Sequence, residues 1–519
     1  MNSPAKIEEP APAPARDSTT FADRIGLVVG GQFVSAIIGL LQGVLLVRWL
    51  DKRAYGTISL VLFLLATGRE LGMLYLPESI LYFAPKANRG ELLGLLRQSM
   101  RLLAGLGVVV ALILALLGLA PGIFLNGRTD LGALLVLAGL VSIVAFPSSA
   151  YGNLFIATDN HRRAAGISLF LTLLGAAGNL IPAALGWPVS IILWSMVVSA
   201  IVRIVLSERL VRQMFDGTNL VPFPGGVRAQ FQYVLPLSIT RFAGVFNQKL
   251  DRFIVGLFFG AESFAEFAIG SQELPLVSIL PYTIASTMTP KLVELYESGK
   301  SRVEGARNAI AMWHAGMRKA TIVMVPIAVF LLLAAEPFMV ALYGEKYRAA
   351  ALPFRLYSGL MLVRLTGYGT MLMAFGRTKE LMRIQIVGMV VNVSASFFLL
   401  PRIGMIAAPL GAVFTQLSMI VMILMRVNAQ AHVGVRGIFP WSHWLRTVLA
   451  AAIAAAVSGA VLWLLSSRTP VAVQLVASVL TFVPPYVICA NVFGVLTAED
   501  RAFIRRWVRL EPLRTKPNP

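Results

Sequence analysis

Apolar runs of about twenty residues, parted by short polar or basic turns, recur along nearly the whole chain. A helix of that length crosses a hydrocarbon core of about 30 Å. Drawn on this pattern, the first half holds six spans, at approximately 25–47, 54–85, 97–121, 131–157, 164–186 and 188–208. The second half holds six more, at approximately 229–260, 264–297, 311–335, 350–376, 380–400 and 404–428, and a final pair follows at 442–466 and 471–494. One span breaks the pattern. The stretch 231–260 is apolar enough to cross a membrane, yet it carries Arg241, Asn247, Gln248, Lys249, Asp251 and Arg252. Ionisable groups at membrane depth cost several kcal/mol each unless they face protein or a watery cavity, so this span reads as the lining of a transport pathway.

The halves repeat at an interval of roughly 205–217 residues. Pro85-Lys86 ends the second span of one half and Pro290-Lys291 that of the other, and Asn179 and Asn392 occupy corresponding depths in the fifth spans. Six spans return the chain to its starting side, so the halves are related by an axis along the membrane normal. The predicted fold is therefore an all-α polytopic membrane protein of about fourteen transmembrane helices. Two six-helix bundles (23–214 and 229–430) surround a central cavity, joined by a linker at 215–228. An extra helix pair at 431–495 follows, with a disordered tail at 1–22 and a basic tail at 496–519. About 30 of the 45 Lys and Arg fall on the side of the termini and about 9 on the other, which predicts cytoplasmic termini.

Composition agrees: 57% of residues are hydrophobic and 13% charged, about half the charged share of a soluble domain. The net charge of +20 is accounted for by basic cytoplasmic turns, and no basic run is interleaved with exposed aromatics, so nucleic acid is not an expected partner. Cys489 stands alone and excludes an intrachain disulfide. The four histidines lack ligand spacing, so no metal is expected. The sequence SGKS at 298–301 has Glu294 where a phosphate-binding loop needs glycine, which removes an ATP site; no cofactor and no enzymatic activity are expected.

Two stretches carry a family likeness: RIGLVVGGQFVSAIIGLLQGVLLVRWLDKRAYGTISLVLFLLATGRELGM in spans 1 and 2, and YVLPLSITRFAGVFNQKLDRFIVGLFFG in span 7. Over residues 21–495 the chain resembles the multidrug/oligosaccharidyl-lipid/polysaccharide flippase superfamily, and most closely its polysaccharide transporter branch. The resemblance implies translocation of an oligosaccharide on an undecaprenyl pyrophosphate carrier across a bacterial inner membrane. A polysaccharide polymerase and chain-length machinery are then expected partners. Arg48 and Asp251 match recurrent family positions, but the family has no invariant set that would assign them roles.

Such a substrate needs cations for its phosphates. On a helix, Arg241, Gln248 and Arg252 fall at i, i+7 and i+11, within roughly 20° of one face. Arg69 in span 2 and Arg364 in span 10 add two more, and Arg241, Arg69 and Arg364 form the expected cationic floor of the cavity. Internal salt bridging is the bland alternative for each: Lys249 can snorkel, and Arg48 beside Trp49 reads as an interfacial anchor. Asp251, Glu273 and Glu70 are the candidates for ion coupling, with charge balance the competing role. Gly26/Gly30 and Gly39/Gly43, four apart in span 1, permit close helix contact. The alternatives in substrate are a peptidoglycan-precursor flippase, which also shows cavity arginines, and a drug or metabolite antiporter, whose cavity would favour acids.

Overall fold

The computed structural model describes residues 37–120, 129–158, 160–272, 275–465 and 469–497. The N-terminal tail, most of the basic tail, Gly26, Gly30 and Glu273 lie outside them. Every regular element among the described residues is helical. The first half comprises α1 (Ile37–Trp49), α2 (Lys52–Gly72), α3 (Leu76–Phe83), α4 (Arg89–Leu119), α5 (Gly132–Ala157), α6 (His161–Ala184) and α7 (Ser190–Met214). The second comprises α8 (Gly226–Phe258), α9 (Ala261–Gly270), α10 (Pro275–Glu297), α11 (Arg302–Leu333), α12 (Ala335–Tyr343), α13 (Ala351–Leu360), α14 (Gly369–Ala374), α15 (Thr378–Ile403) and α16 (Ala407–Ala431). Helices α17 (Trp441–Leu465) and α18 (Val471–Val492) close the chain.

Among the described residues, nine stretches are long and apolar enough to cross a membrane by length and composition, and one of them is α15 and α16 end to end. Four spans escape that criterion for physical reasons: only part of the first is described, α8 is too charged, and two are broken. Counting these gives the expected fourteen.

The breaks correct the reading of three spans as continuous. Span 2 divides into α2 and α3 where Leu74 (φ 47°) and Tyr75 (φ 54°) adopt the left-handed region, which side chains other than glycine's resist. Span 8 divides into α9 and α10, and span 10 into α13 and α14 across residues 361–368. A proline stands in the first turn after two of these breaks, Pro77 in α3 and Pro275 in α10, where a missing N–H costs nothing. The second span of each half is thus interrupted, late in span 2 after 21 residues and early in span 8 after 10.

Among the described residues close packing comes from glycines outside span 1. A Cβ at Gly39 or Gly43 would meet nothing within 4 Å. In contrast α4 and α5 approach through Gly107 against the Ser142 carbonyl, Gly118 against Gly132, and Gly139 against Ala111. The capping box of Asn88 and Glu91 fixes the start of α4. The inter-half linker lies on that same turn, with the Val221 carbonyl only 2.0 Å from where a Gly94 Cβ would stand.

The halves meet along α2 and α9. Gly56 faces the Ala261 backbone so closely that a Cβ there would be 1.8 Å from its carbonyl oxygen. Phe63 packs edge-on to Phe253, with ring centroids 4.9 Å apart. The end of α1 belongs to this seam rather than to its own bundle: Val47 is fully buried among Ala265, Leu331, Ala335 and Met339 of the second half. Arg48, expected as an interfacial anchor, donates to the carbonyls of Ala341 (2.5 Å) and Leu342 (2.9 Å). Lys346 returns a bond to the Leu50 carbonyl at 2.6 Å, and Lys52 pairs with Glu266. Partial burial lowers the Lys346 ammonium below the usual lysine value.

Toward the other end of the seam Gln230 of α8, fully buried, donates to the hydroxyls of Ser79 and Ser99, both at 2.7 Å. Its own carbonyl accepts from Gln98 at 3.0 Å. Tyr233 stacks on Tyr82 beside it, centroids 4.1 Å apart. The two halves are therefore tied both at the turn after α1 and near the linker.

Candidate functional site

Helix α8 passes between two cavities. Its 33 residues include Pro236 before the polar stretch, and they present Arg241 to one cavity and Gln248 and Arg252 to the other. The first cavity, about 540 Å3, lies against α2, α5 and α7 and is lined by Arg69, Glu70, Tyr75, Glu78, Met196 and Arg241 among others. The second, about 580 Å3, lies within the second half; Asp251, Tyr357, Arg364 and Gln416 join Gln248 and Arg252 in its wall. The face shared by Arg241, Gln248 and Arg252 is thus lined by cavity along its length. The room beside it comes in part from Gly244, where a Cβ would meet nothing within 4 Å.

Glu70 governs the charge between the cavities. Its carboxylate accepts from Arg241 on one oxygen and from Lys249 on the other at 2.6 Å. Lys249 is not turned to the surface as a snorkelling lysine would be; its side chain is 22% exposed. One acid from the first half therefore holds two cations of the second half's lead helix. Lys249 lines the second cavity while its partner lines the first, so the two cavities adjoin at this ion pair.

Asp251 is the most enclosed charge in the region, 5% exposed. It accepts from the Tyr357 hydroxyl and from the backbone N–H of Arg252 at 2.7 Å. The Arg252 guanidinium reaches the Ser271 carbonyl, next to the break in span 8, at 3.4 Å. Arg364 lies in the non-helical break of span 10 rather than at the middle of a helix, which places it at the wall of the second cavity beside unwound backbone. Deeper in the same half the Asn392 amide donates to the Asn247 carbonyl at 3.2 Å, joining α15 to α8, and Ser396 donates to Asn392.

The structure brings Arg69, Arg241 and Glu70 together, and separately Arg364, Arg252, Gln248 and Asp251. Glu273 lies outside the described residues. Tyr357 escaped the reading of the site, because an aromatic in an apolar span carries no sign of a carboxylate partner. Among the described residues no group of three His, Cys, Asp or Glu side chains converges as a metal site.

A mostly helical membrane chain of two six-helix bundles, broken spans and a shared polar wall is the architecture of a transporter. Comparison with known folds agrees. A lipid II flippase, MurJ, in an inward closed conformation superposes with a TM-score of 0.69 at 14% identity, covering 93% of this chain and 100% of that one. An inward-facing multidrug resistance MATE family transporter follows at 0.55 and 15% identity, covering 79% of this chain and 100% of that one. The eukaryotic MATE transporter AtDTX14 gives 0.53 at 13% identity, covering 79% and 97%. At these identities the likeness establishes the fold. The family comes from the sequence: a family model for polysaccharide biosynthesis proteins matches residues 21–295, just over half of the chain. The chain belongs to the polysaccharide biosynthesis protein family, within the flippase superfamily that its motifs resemble. No curated protein sequence matches it.

Proposed function

We propose that this transporter moves a polyprenyl-pyrophosphate-linked oligosaccharide repeat unit across the bacterial inner membrane for surface polysaccharide synthesis, with both termini in the cytoplasm. The observation that carries the reading is the wall of the second cavity, where Lys249, Arg252 and Arg364 outnumber Asp251; in the adjoining first cavity Arg69 and Arg241 are balanced by Glu70 and Glu78. Guanidinium groups stay charged at membrane depth and fork onto phosphate oxygens, whereas an exporter of organic cations calls for acids. The family match to polysaccharide biosynthesis supports the glycan side of the reading.

Movement proceeds by rocking of the two bundles about the α2–α9 seam. The broken spans 2, 8 and 10 supply backbone that bends without losing helix hydrogen bonds elsewhere. Asp251, with Tyr357 as its donor, is the residue proposed for ion coupling. The polymerase and chain-length machinery of the same pathway would take the unit on the far side.

Deletion of the gene in its host tests the reading. Surface polymer is expected to disappear while the lipid-linked unit accumulates inside the cell. Arg241→Ala and Arg364→Ala, each with normal protein levels, are expected to fail to restore export. A deletion strain with normal surface polymer and defective cell-wall precursor transport would instead assign the peptidoglycan intermediate.

A further inference from the structure

The second cavity has a charged part and a neutral part. Lys249 and Arg252 of α8 and Arg364 in the break of span 10 supply the cations. The wall that α15 and α16 contribute is of another chemistry: Gln385, Asn392, Thr415 and Gln416, beside the apolar Met419 and Ile423. Gln385 and Asn392 stand seven residues apart and so share a face of α15. From Leu381 to Ala431 the chain has no acid, and its arginines there, Arg383, Arg402 and Arg426, lie outside the cavity wall.

Several polar groups of this cavity have no partner. The carboxamides of Gln248, Gln385 and Gln416 make no hydrogen bond among the described residues. Two hydroxyls in the same wall, Ser271 Oγ beside the break of span 8 and Thr366 Oγ1 within that of span 10, are buried and unpaired; their residues are 6% and 4% exposed. Buried polar atoms are nearly always paired, so orphans that converge on one cavity mark a place where a ligand completes the bonding. That ligand must both donate and accept at closely spaced points, because each carboxamide offers an oxygen and an NH2 group and each hydroxyl does both. Neighbouring hydroxyls of a sugar ring meet the demand. A carboxylate, which only accepts, would leave the carboxamide oxygens unpaired.

We infer that the α15–α16 wall of the second cavity is a subsite for an uncharged sugar bearing hydroxyl or acetamido groups, with Gln385 and Gln416 as its specificity-determining residues. The inference rests on the transport reading and adds to it the class of sugar and the side chains that select it. Met419 and Ile423 give the apolar face of a sugar ring, or an acetamido methyl, a surface to lie on. The cavity, about 580 Å3, falls within the ~300–1,000 Å3 of small-molecule sites.

Detergent-purified full-length protein is titrated with three probes: farnesyl pyrophosphate, and the same lipid carrying either N-acetylglucosamine or glucuronic acid. Wild type is expected to bind the N-acetylglucosamine compound about tenfold more tightly than the bare lipid, and the glucuronate compound no more tightly than the bare lipid. Gln385→Leu and Gln416→Leu should each reduce the tenfold ratio to about threefold or less. The ratio is taken within each variant, so one that is merely less well folded loses affinity for all probes alike and keeps it. Gln232→Leu, exposed on α8 and outside both cavities, should keep the wild-type ratio. Free N-acetylglucosamine that displaces the linked compound would assign the subsite to free sugars as well; failure to displace it assigns the lipid-linked form. Equal binding of all three probes by wild type, an undiminished ratio in both glutamine variants, or a preference for glucuronate would overturn the subsite and leave the flippase reading standing. Binding of none of the three would overturn that reading and the subsite with it, so the two failures are distinguishable.

Discussion

Adding one methyl group at Gly56 tests the seam between the bundles. The built Cβ lies 1.8 Å from the Ala261 carbonyl oxygen, 2.6 Å from its carbon and 3.2 Å from the Ala265 Cβ. An ordinary carbon–oxygen contact is about 3.3 Å, so α2 and α9 must part by about 1.5 Å. Both obstructing atoms nearest the methyl are backbone, and no side chain can turn aside to relieve them. Overpacking of this kind costs about 1–3 kcal/mol. The cost falls on arrangements in which the seam is shut, so Gly56→Ala should shift the balance away from them by about 5- to 150-fold. Lys52 and Glu266, whose side chains meet across the seam, supply the assay. With Cys489 replaced by serine, cysteines at 52 and 266 should cross-link readily in the parent and poorly with Gly56→Ala. Gly39→Ala, whose new methyl meets nothing within 4 Å, should change neither cross-linking nor melting temperature. A Gly56→Ala protein that cross-links and melts like its parent would refute the reasoning.

Three further outcomes can be checked. Gly94→Ala places a methyl 2.0 Å from the Val221 carbonyl, so the linker at 215–225 should lift and become sensitive to limited proteolysis, with little effect at the Lys52–Glu266 seam. Gln230→Ala removes the group that joins Ser79, Ser99 and Gln98, and should lower stability by about 1–3 kcal/mol in detergent thermal melts. Glu70→Ala leaves Arg241 and Lys249 without their acid; allowing for the partial exposure of Arg241, the loss should be about 1–3 kcal/mol. Combining it with Lys249→Gln should cost less than the sum of the single changes, as a double-mutant cycle would show.

The count of spans, the two-fold repeat and the polar face of α8 were legible because they depend on periodicity within one segment. Arg241, Gln248 and Arg252 share a face by helical geometry alone. What Glu70 does was not legible. Its two partners lie 171 and 179 residues away, and only the packing of α2 against α8 decides that it serves both. The breaks were hidden for a different reason. Leu74 and Tyr75 are ordinary apolar residues that local propensity keeps right-handed, and tertiary packing overrides it. The interruption at 361–368 carries a fainter sign in Thr366-Gly367, but its apolar neighbours mask it. The Gly39/Gly43 spacing in span 1 shows that close approach is permitted, not that a neighbour comes.

The seating of Arg48 has a consequence for how the protein is made. Its acceptor carbonyl on Ala341 follows it by 293 residues. At ~5–20 residues per second, the ribosome needs about 15–60 s to deliver that acceptor after Arg48 emerges. During that interval Val47 and Arg48 stand without the pocket that later encloses them, held only by their position near the edge of the bilayer. The end of α1 is thus among the last parts of the first half to find its place, and assembly of the second half completes the first.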